Sequence, residues 1–186
     1  MVKTVKYYFV PKHLRVVCTT QRVASVSMIE SLAPMSSNDT REISPDRVLA
    51  YRKCDMDVLL WVRDPLDRLA CAYDVFGKRF ATVAEFIEHT LTNENPHWSP
   101  QDKLHTFNGV FLPTRVFRFE ELAETWAKYL PDYPLIHIGA NPNRLQWTDL
   151  SKEISRELRI RILDHWKNDF DLRRWAYQYG VHKVAA

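Results

Sequence analysis

The chain has 186 residues, with 26 Lys plus Arg against 23 Asp plus Glu, a net charge of +3 with the histidines neutral. Hydrophobic residues at 46% and charged residues at 26% are those of an ordinary globular protein, and the length fits a single domain spanning residues 1–186. The charge excess is too small to mark a nucleic-acid binder, although a pI near 8.7 suits an anion site, while 4 glycines and 23 aromatic residues (6 Trp, 8 Tyr, 9 Phe) exclude collagen-like and disordered chains.

Val5–Val10 and Leu14–Thr19 are β-branched and aromatic runs separated by Pro11-Lys12-His13, which predicts two strands. From Ala24, the residues Val26, Ile29 and Leu32 or Ala33 share one helical face up to Pro34, and residues 35–40 read as loop. Val58–Val62 is apolar throughout, the pattern of a strand buried on both faces of a parallel sheet. Pro65 then opens a helix through Leu66, Leu69, Ala70 and Tyr73 toward Phe76. Further on, the patterns predict a helix over 83–91, a loop over 92–102, a strand over 115–119 and a helix over 120–129. A strand over 135–138 and a turn at Asn141-Pro142-Asn143 follow. Ser151 is expected to cap a long terminal helix containing Ile154, Leu158, Ile162, Trp166 and Phe170. Strands alternating with helices argue for an α/β layer architecture. Cys18, Cys54 and Cys71 offer no close pair and read as buried free thiols. The apolar run at Tyr7–Pro11 is too short for a signal peptide or membrane span, so a reducing, cytoplasmic setting is expected.

Two strand-to-helix corners carry the equipment of an anion site. In the first, Thr19-Thr20-Gln21-Arg22-Val23-Ala24-Ser25-Val26-Ser27, a helix starting near Ala24 aims its first N–H groups and its dipole at the preceding loop. Arg22 adds a charge there, and Ser25 and Ser27 add hydroxyls. In the second, Arg63 follows the buried strand at its carboxyl end, where open α/β sheets place ligands. Arg68 lies one turn into the next helix, within reach of a pair with Asp64. Each corner alone also has a purely structural account: a capped helix with one exposed arginine for the first, and an internal Asp64–Arg68 pair for the second.

The order of these motifs resembles the carbohydrate sulfotransferases, in particular the group of chondroitin and dermatan 4-O-sulfotransferases. Cys18 through Ser27 follows that family's Tyr-Cys-x-x-Pro-Lys-Val-Ala-Ser-Thr-x-Trp, and Val62 through Tyr73 is close to its Val-Arg-Asp-Pro-Phe-Glu-Arg-Leu-x-Ser-Ala-Tyr. His97-Trp98-Ser99-Pro100-Gln101 matches its His-Trp-x-Pro-Gln. Phe119-Glu120-Glu121-Leu122 and Trp166-Lys167-Asn168-Asp169-Phe170 resemble two later motifs.

The resemblance implies a P-loop-like three-layer α/β domain with a mainly parallel central sheet flanked by helices. It further implies a donor site for 3'-phosphoadenosine 5'-phosphosulfate, with 3',5'-adenosine bisphosphate as product and no metal. Arg22 takes the place of the family's lysine at the 5'-phosphosulfate. The backbone of Val23, Ala24, Ser25 and Val26, with the Ser25 and Ser27 hydroxyls, completes the cradle. Arg63 grips the 3'-phosphate, and Cys71 stands where the family has a phosphate-binding serine. Gln21 replaces the loop proline. No Gly-x-x-x-x-Gly-Lys-Ser/Thr run exists, which argues against a nucleotide kinase.

The acceptor is expected to be a hydroxyl, of a carbohydrate or another small molecule. His97 is the candidate base, since its reference pKa lies near neutrality. The competing view is that His97 and Trp98 only pin their loop, and Glu94 or Glu120 could serve instead. Acceptor recognition is assigned to the segments 35–44 and 92–112. A second reading, prompted by the Arg22 and Cys71 departures, is a catalytically weak or inactive binding protein on the same scaffold. A basic nucleic-acid face on the last helix (Arg156, Arg159, Arg161, Arg173, Arg174) is disfavoured by the interspersed Glu157, Asp164, Asp169 and Asp171.

Overall fold

A computed structural model describes residues 5–33, 40–137 and 145–179. Strands β1 (Val5–Val10) and β2 (Arg15–Thr20) form a hairpin around a single 3-10 turn at Pro11–His13. Leu14, expected to start the second strand, closes that turn instead, with φ 49° in the left-handed region. Helix α1 (Ser25–Leu32) follows β2. A short strand β3 (Arg41–Ile43) and helix α2 (Pro45–Lys53) come next, both missed by the sequence patterns because they are short and largely polar. The unit β4 (Asp57–Val62) and α3 (Pro65–Phe76) is as expected, with Pro65 at the first helical position and Asp64 as the cap. After α4 (Val83–Thr92), the segment read as loop ends in a short helix, α5 (Gln101–Leu104). A two-residue hairpin of β5 (Thr106–Phe107) and β6 (Val110–Phe111) then leads to β7 (Arg115–Arg118) and α6 (Leu122–Tyr129).

The expected strand at 135–138 is not formed over 135–137. There the chain is held irregularly, with the Ile136 N–H donating to Ser31 Oγ at 2.7 Å and Leu135 packed on the core. Ile138 and the turn at 141–143 lie outside the described residues. A short helix, α7 (Trp147–Leu150), precedes Ser151, and the single terminal helix expected after it is instead two, α8 (Arg156–His165) and α9 (Lys167–Tyr179). Ser151 begins a 3-10 turn, Ile154 is extended, and Ser155 is the residue whose hydroxyl caps α8 by accepting from the Leu158 N–H at 3.1 Å.

The five-stranded sheet has the order β3-β1-β2-β4-β7. Two pairings, β1 with β2 and β1 with β3, are antiparallel, and two, β2 with β4 and β4 with β7, are parallel. The sheet is therefore mixed rather than mainly parallel, because the opening hairpin puts β1 in reverse between two strands. Alternating residues divide it into two apolar faces. Val17, Leu59, Trp61 and Phe117 pack under α1 and α6 with Met28, Leu32, Leu122 and Trp126. Val16, Cys18, Val58, Leu60 and Val116 pack with Val48 of α2 and Ala176 of α9. A third cluster joins α3, α4, α7 and α8 through Leu69, Phe86, Ile87, Trp98, Leu158, Ile162 and Trp166. Of the cysteines only Cys18 is buried; Cys54 is exposed at the end of α2 and Cys71 is half-buried, correcting the reading of three buried thiols. Among the described residues, no helix is long and apolar enough to cross a membrane.

Candidate functional site

The parallel register of β2 with β4, which sets Val17 opposite Leu59 and Cys18 opposite Leu60, brings the two corners together at the carboxyl end of the two central strands. In the first corner the backbone turns sharply. Arg22 has φ 66° and Ala24 φ 47°, both left-handed, and the Val23 N–H donates to the Thr20 carbonyl at 3.1 Å. Non-glycine residues in this region cost about 1–2 kcal/mol each, so two within three residues mark a turn imposed by its surroundings. The first bond of α1 runs from Met28 N–H to Ala24 O at 2.9 Å, which leaves the N–H groups of Ser25 and Val26 without an acceptor inside the helix. The Val23 N–H, expected in the cradle, is instead committed to the turn. Ser25 and Ser27 are buried, and Val26 turns its side chain to solvent.

Arg63 is 5% exposed. Its Nη1 donates to the Arg22 carbonyl at 3.0 Å, and its guanidinium lies over the Phe119 ring with 5.2 Å to the centroid. The Cys71 side chain, half-buried on α3, is close enough to favour the charged form of the same guanidinium, while burial, the larger effect, lowers the Arg63 pKa. The backbone of Arg63 is fixed on both sides by Gln101, whose Oε1 accepts from its N–H at 3.2 Å and whose Nε2 donates to its carbonyl at 3.0 Å. Gln101 is anchored by the fully buried Asp169 of α9. That carboxylate accepts from Gln101 N at 2.8 Å, from Gln101 Nε2 at 3.3 Å and from Asp102 N at 2.9 Å. Burial raises the Asp169 pKa.

Arg68 does not pair with Asp64. Asp64 caps α3, accepting from Leu66 N at 2.9 Å and Asp67 N at 3.3 Å. Arg68, 1% exposed, donates to three main-chain carbonyls: Gln21 at 3.1 Å, Ser99 at 2.7 Å and Pro96 at 2.6 Å. It thereby joins the first corner to the His97 segment.

His97 and Trp98 have separate parts. Trp98 is the pin, with its Nε1 donating to Asn93 O at 2.7 Å and its carbonyl accepting from Trp166 Nε1 at 2.9 Å. The His97 and Phe76 rings meet edge-on with 4.8 Å between centroids, and the Arg22 guanidinium lies over the same Phe76 ring, 5.6 Å from its centroid. Burial, then the charges of Arg22 and Arg68, push the His97 pKa down to about 4. Buried atoms His97 Nδ1 and Arg22 Nε have no hydrogen-bond partner. Of the alternative bases, Glu94 is exposed and Glu120 pairs with Arg173 at 3.2 Å. Beside the second corner, Arg118, Phe170, Arg173 and Arg174 line a cleft of about 400 Å³, and Arg173 reaches Asp64 at 3.8 Å.

Sequence reasoning missed His105, which is fully buried and shares a 2.7 Å hydrogen bond with Thr20 Oγ1 at the end of β2. It also missed the bridging part of Arg68, although the spacing of Pro65, Arg68, Leu69 and Ala72 puts that arginine on the buried face of α3. Compared with protein-family models, with curated proteins and with solved structures, the chain matches none.

Proposed function

We propose that the chain is a sulfotransferase that moves a sulfuryl group from 3'-phosphoadenosine 5'-phosphosulfate to a hydroxyl of a carbohydrate or other small acceptor, in a cytoplasmic setting. The observation that carries this reading is the contact between the corners: Arg63 Nη1 and the Arg22 carbonyl are 3.0 Å apart, so the two arginine-bearing turns meet at one end of the sheet. The β2–turn–α1 unit is read as P-loop-like on this basis. The unpartnered Arg22 Nε and His97 Nδ1 fit a polar ligand seated between them.

Arg22, with the N–H groups of Ser25 and Val26 and the serine hydroxyls, would hold the 5'-phosphosulfate. Arg63, with Cys71, would hold the 3'-phosphate, the planar guanidinium suiting a phosphate. The donor supplies an activated sulfuryl group and leaves as 3',5'-adenosine bisphosphate. Fixed positive charge at Arg22 stabilises anionic oxygens without reorganisation, which is where most of the catalysis in such transfers arises. His97 is neutral near pH 7 because its pKa is depressed, so its imidazole is in the proton-accepting form. An anion on Arg22 offsets the electrostatic part of what depresses His97, burial being the larger part, and so raises its proton affinity in the direction a general base needs.

The second reading, a binding protein with little turnover, draws on one observation: the group beside Arg63 is a thiol, a weak donor to phosphate. Calorimetry with 3',5'-adenosine bisphosphate and labelled-sulfate transfer to a panel of hydroxyl acceptors separate the two. Binding with transfer supports the enzyme, and binding without transfer supports the scaffold. Absence of binding removes both.

A further inference from the structure

Arg68 is a costly residue to bury. Its guanidinium is 1% exposed, and its three acceptors are all neutral carbonyls rather than carboxylates. Burial, opposed only in part by the nearby Asp169, brings its pKa down to about 10, so it remains charged at neutrality. An apolar side chain would fill the same space on the buried face of α3 more cheaply. The identity of the acceptors suggests what offsets the cost. Gln21 immediately precedes Arg22, and Pro96 and Ser99 stand on either side of His97-Trp98. One rigid fork therefore fixes the turn bearing one group of the site and brackets the segment bearing the other. A lysine ammonium, with three donors on a single flexible nitrogen, cannot span three carbonyls in this way.

The 93–99 segment has bonds of its own. Ser99 N and Trp98 N donate to Asn95 O at 2.7 and 3.0 Å, and His97 N donates to Asn95 Oδ1 at 3.1 Å. These shape the segment but do not tie it to the Arg22 turn. Among the side-chain hydrogen bonds of the described residues, those of Arg68 make that tie.

We propose that Arg68 is a positioning residue for the site: its guanidinium holds the Arg22 turn and the His97 segment in one register, so that a ligand taken up at the first corner finds His97 already in place. Only the ligand arm of the test rests on the anion-site reading above.

The test is a proton NMR titration of His97 in the wild type, Arg68→Lys and Asn95→Ala. The Lys variant retains the positive charge while losing the three-way bridge; the Ala variant cuts a bond internal to the segment and leaves the bridge intact. If Arg68 positions the segment, His97 in Arg68→Lys titrates at least about one pH unit closer to its reference value of about 6.5, and Asn95→Ala titrates as the wild type does. The opposite pattern, His97 unmoved in Arg68→Lys and displaced in Asn95→Ala, overturns the proposal. Should Arg68→Lys not fold, the wild type decides: slowly exchanging Arg68 guanidinium protons with NOE contacts to both the Gln21–Arg22 turn and the 96–99 segment support the tie, and their absence contradicts it. Adding 3',5'-adenosine bisphosphate should move the His97 resonances in the wild type and much less in Arg68→Lys. A wild type that binds none of it counts against the sulfotransferase reading and leaves the ligand-free titration to decide the role of Arg68.

Discussion

Arg63 Nη1 donates to the main-chain carbonyl of Arg22 over 3.0 Å, linking residues 41 apart in sequence. The bond orients the Arg63 side chain and braces the Arg22 backbone: it draws the Arg63 guanidinium against the first turn, and it occupies the carbonyl of a residue held at φ 66°. A buried cationic side chain is thus held against the turn that carries a second arginine, an arrangement suited to an anion at that turn.

Arg22→Ala should reduce the rate of sulfate transfer by about 10²- to 10³-fold, the scale for losing one charge-stabilising donor. Its half-buried side chain is no core element, and the carbonyl that Arg63 uses survives the change. The thermal midpoint should accordingly move little, while steady-state kinetics report the loss mainly in kcat.

Arg63→Ala should act on affinity instead. Removing a charged hydrogen-bond donor costs about 1.5–3 kcal/mol, so calorimetry with 3',5'-adenosine bisphosphate should show binding weakened by roughly ten- to a hundredfold. This variant should also melt earlier than the wild type, because the buried Arg22 contact is lost.

Cys71→Ser should tighten bisphosphate binding. A hydroxyl donates better than a thiol, and the side chain already sits against Arg63. A gain of about 0.5–1.5 kcal/mol, the typical net worth of a hydrogen bond, is the expected result in the same titration. Equal or weaker binding would remove Cys71 from the site.

Acid should destabilise the protein before the carboxylates are fully protonated. His97 and His105 have folded-state pKa values of about 4 and about 3, both through burial first and neighbouring arginine charge second. Their unfolded values lie near 6.5. The unfolded chain therefore binds more protons below that pH, and the stability these neutral imidazoles contribute is present above about 6.5 and lost as pH falls toward 4 and 3. Asp169, with its raised pKa, works in the opposite direction. Thermal melts across this range, compared with His105→Gln, should show a shallower acid decline in the variant.

Local chemistry made the β4–α3 corner legible: an unbroken apolar run, then Arg63-Asp64-Pro65, names a buried strand, a cap and a helix start. The reversal of β1 was not legible as a change of sheet type, because strand direction depends on a hairpin whose geometry turns on Leu14 at a positive φ. Nor was the division of the last helix, where Ile154 fits a helical stripe yet adopts an extended backbone before the Ser155 cap. Within the site, Arg22, Arg63 and His97 stand out by residue type. His105 and Asp169 act through partners 85 and 68 residues away, Thr20 and Gln101, which periodicity does not reveal.

The most direct measurement is a crystal structure with 3',5'-adenosine bisphosphate bound. One phosphate is expected on the Arg22 turn at the start of α1 and the other on Arg63 beside Cys71, with His97 facing the 5' end. A bisphosphate seated elsewhere, or touching only one of the two arginines, would contradict a shared donor site.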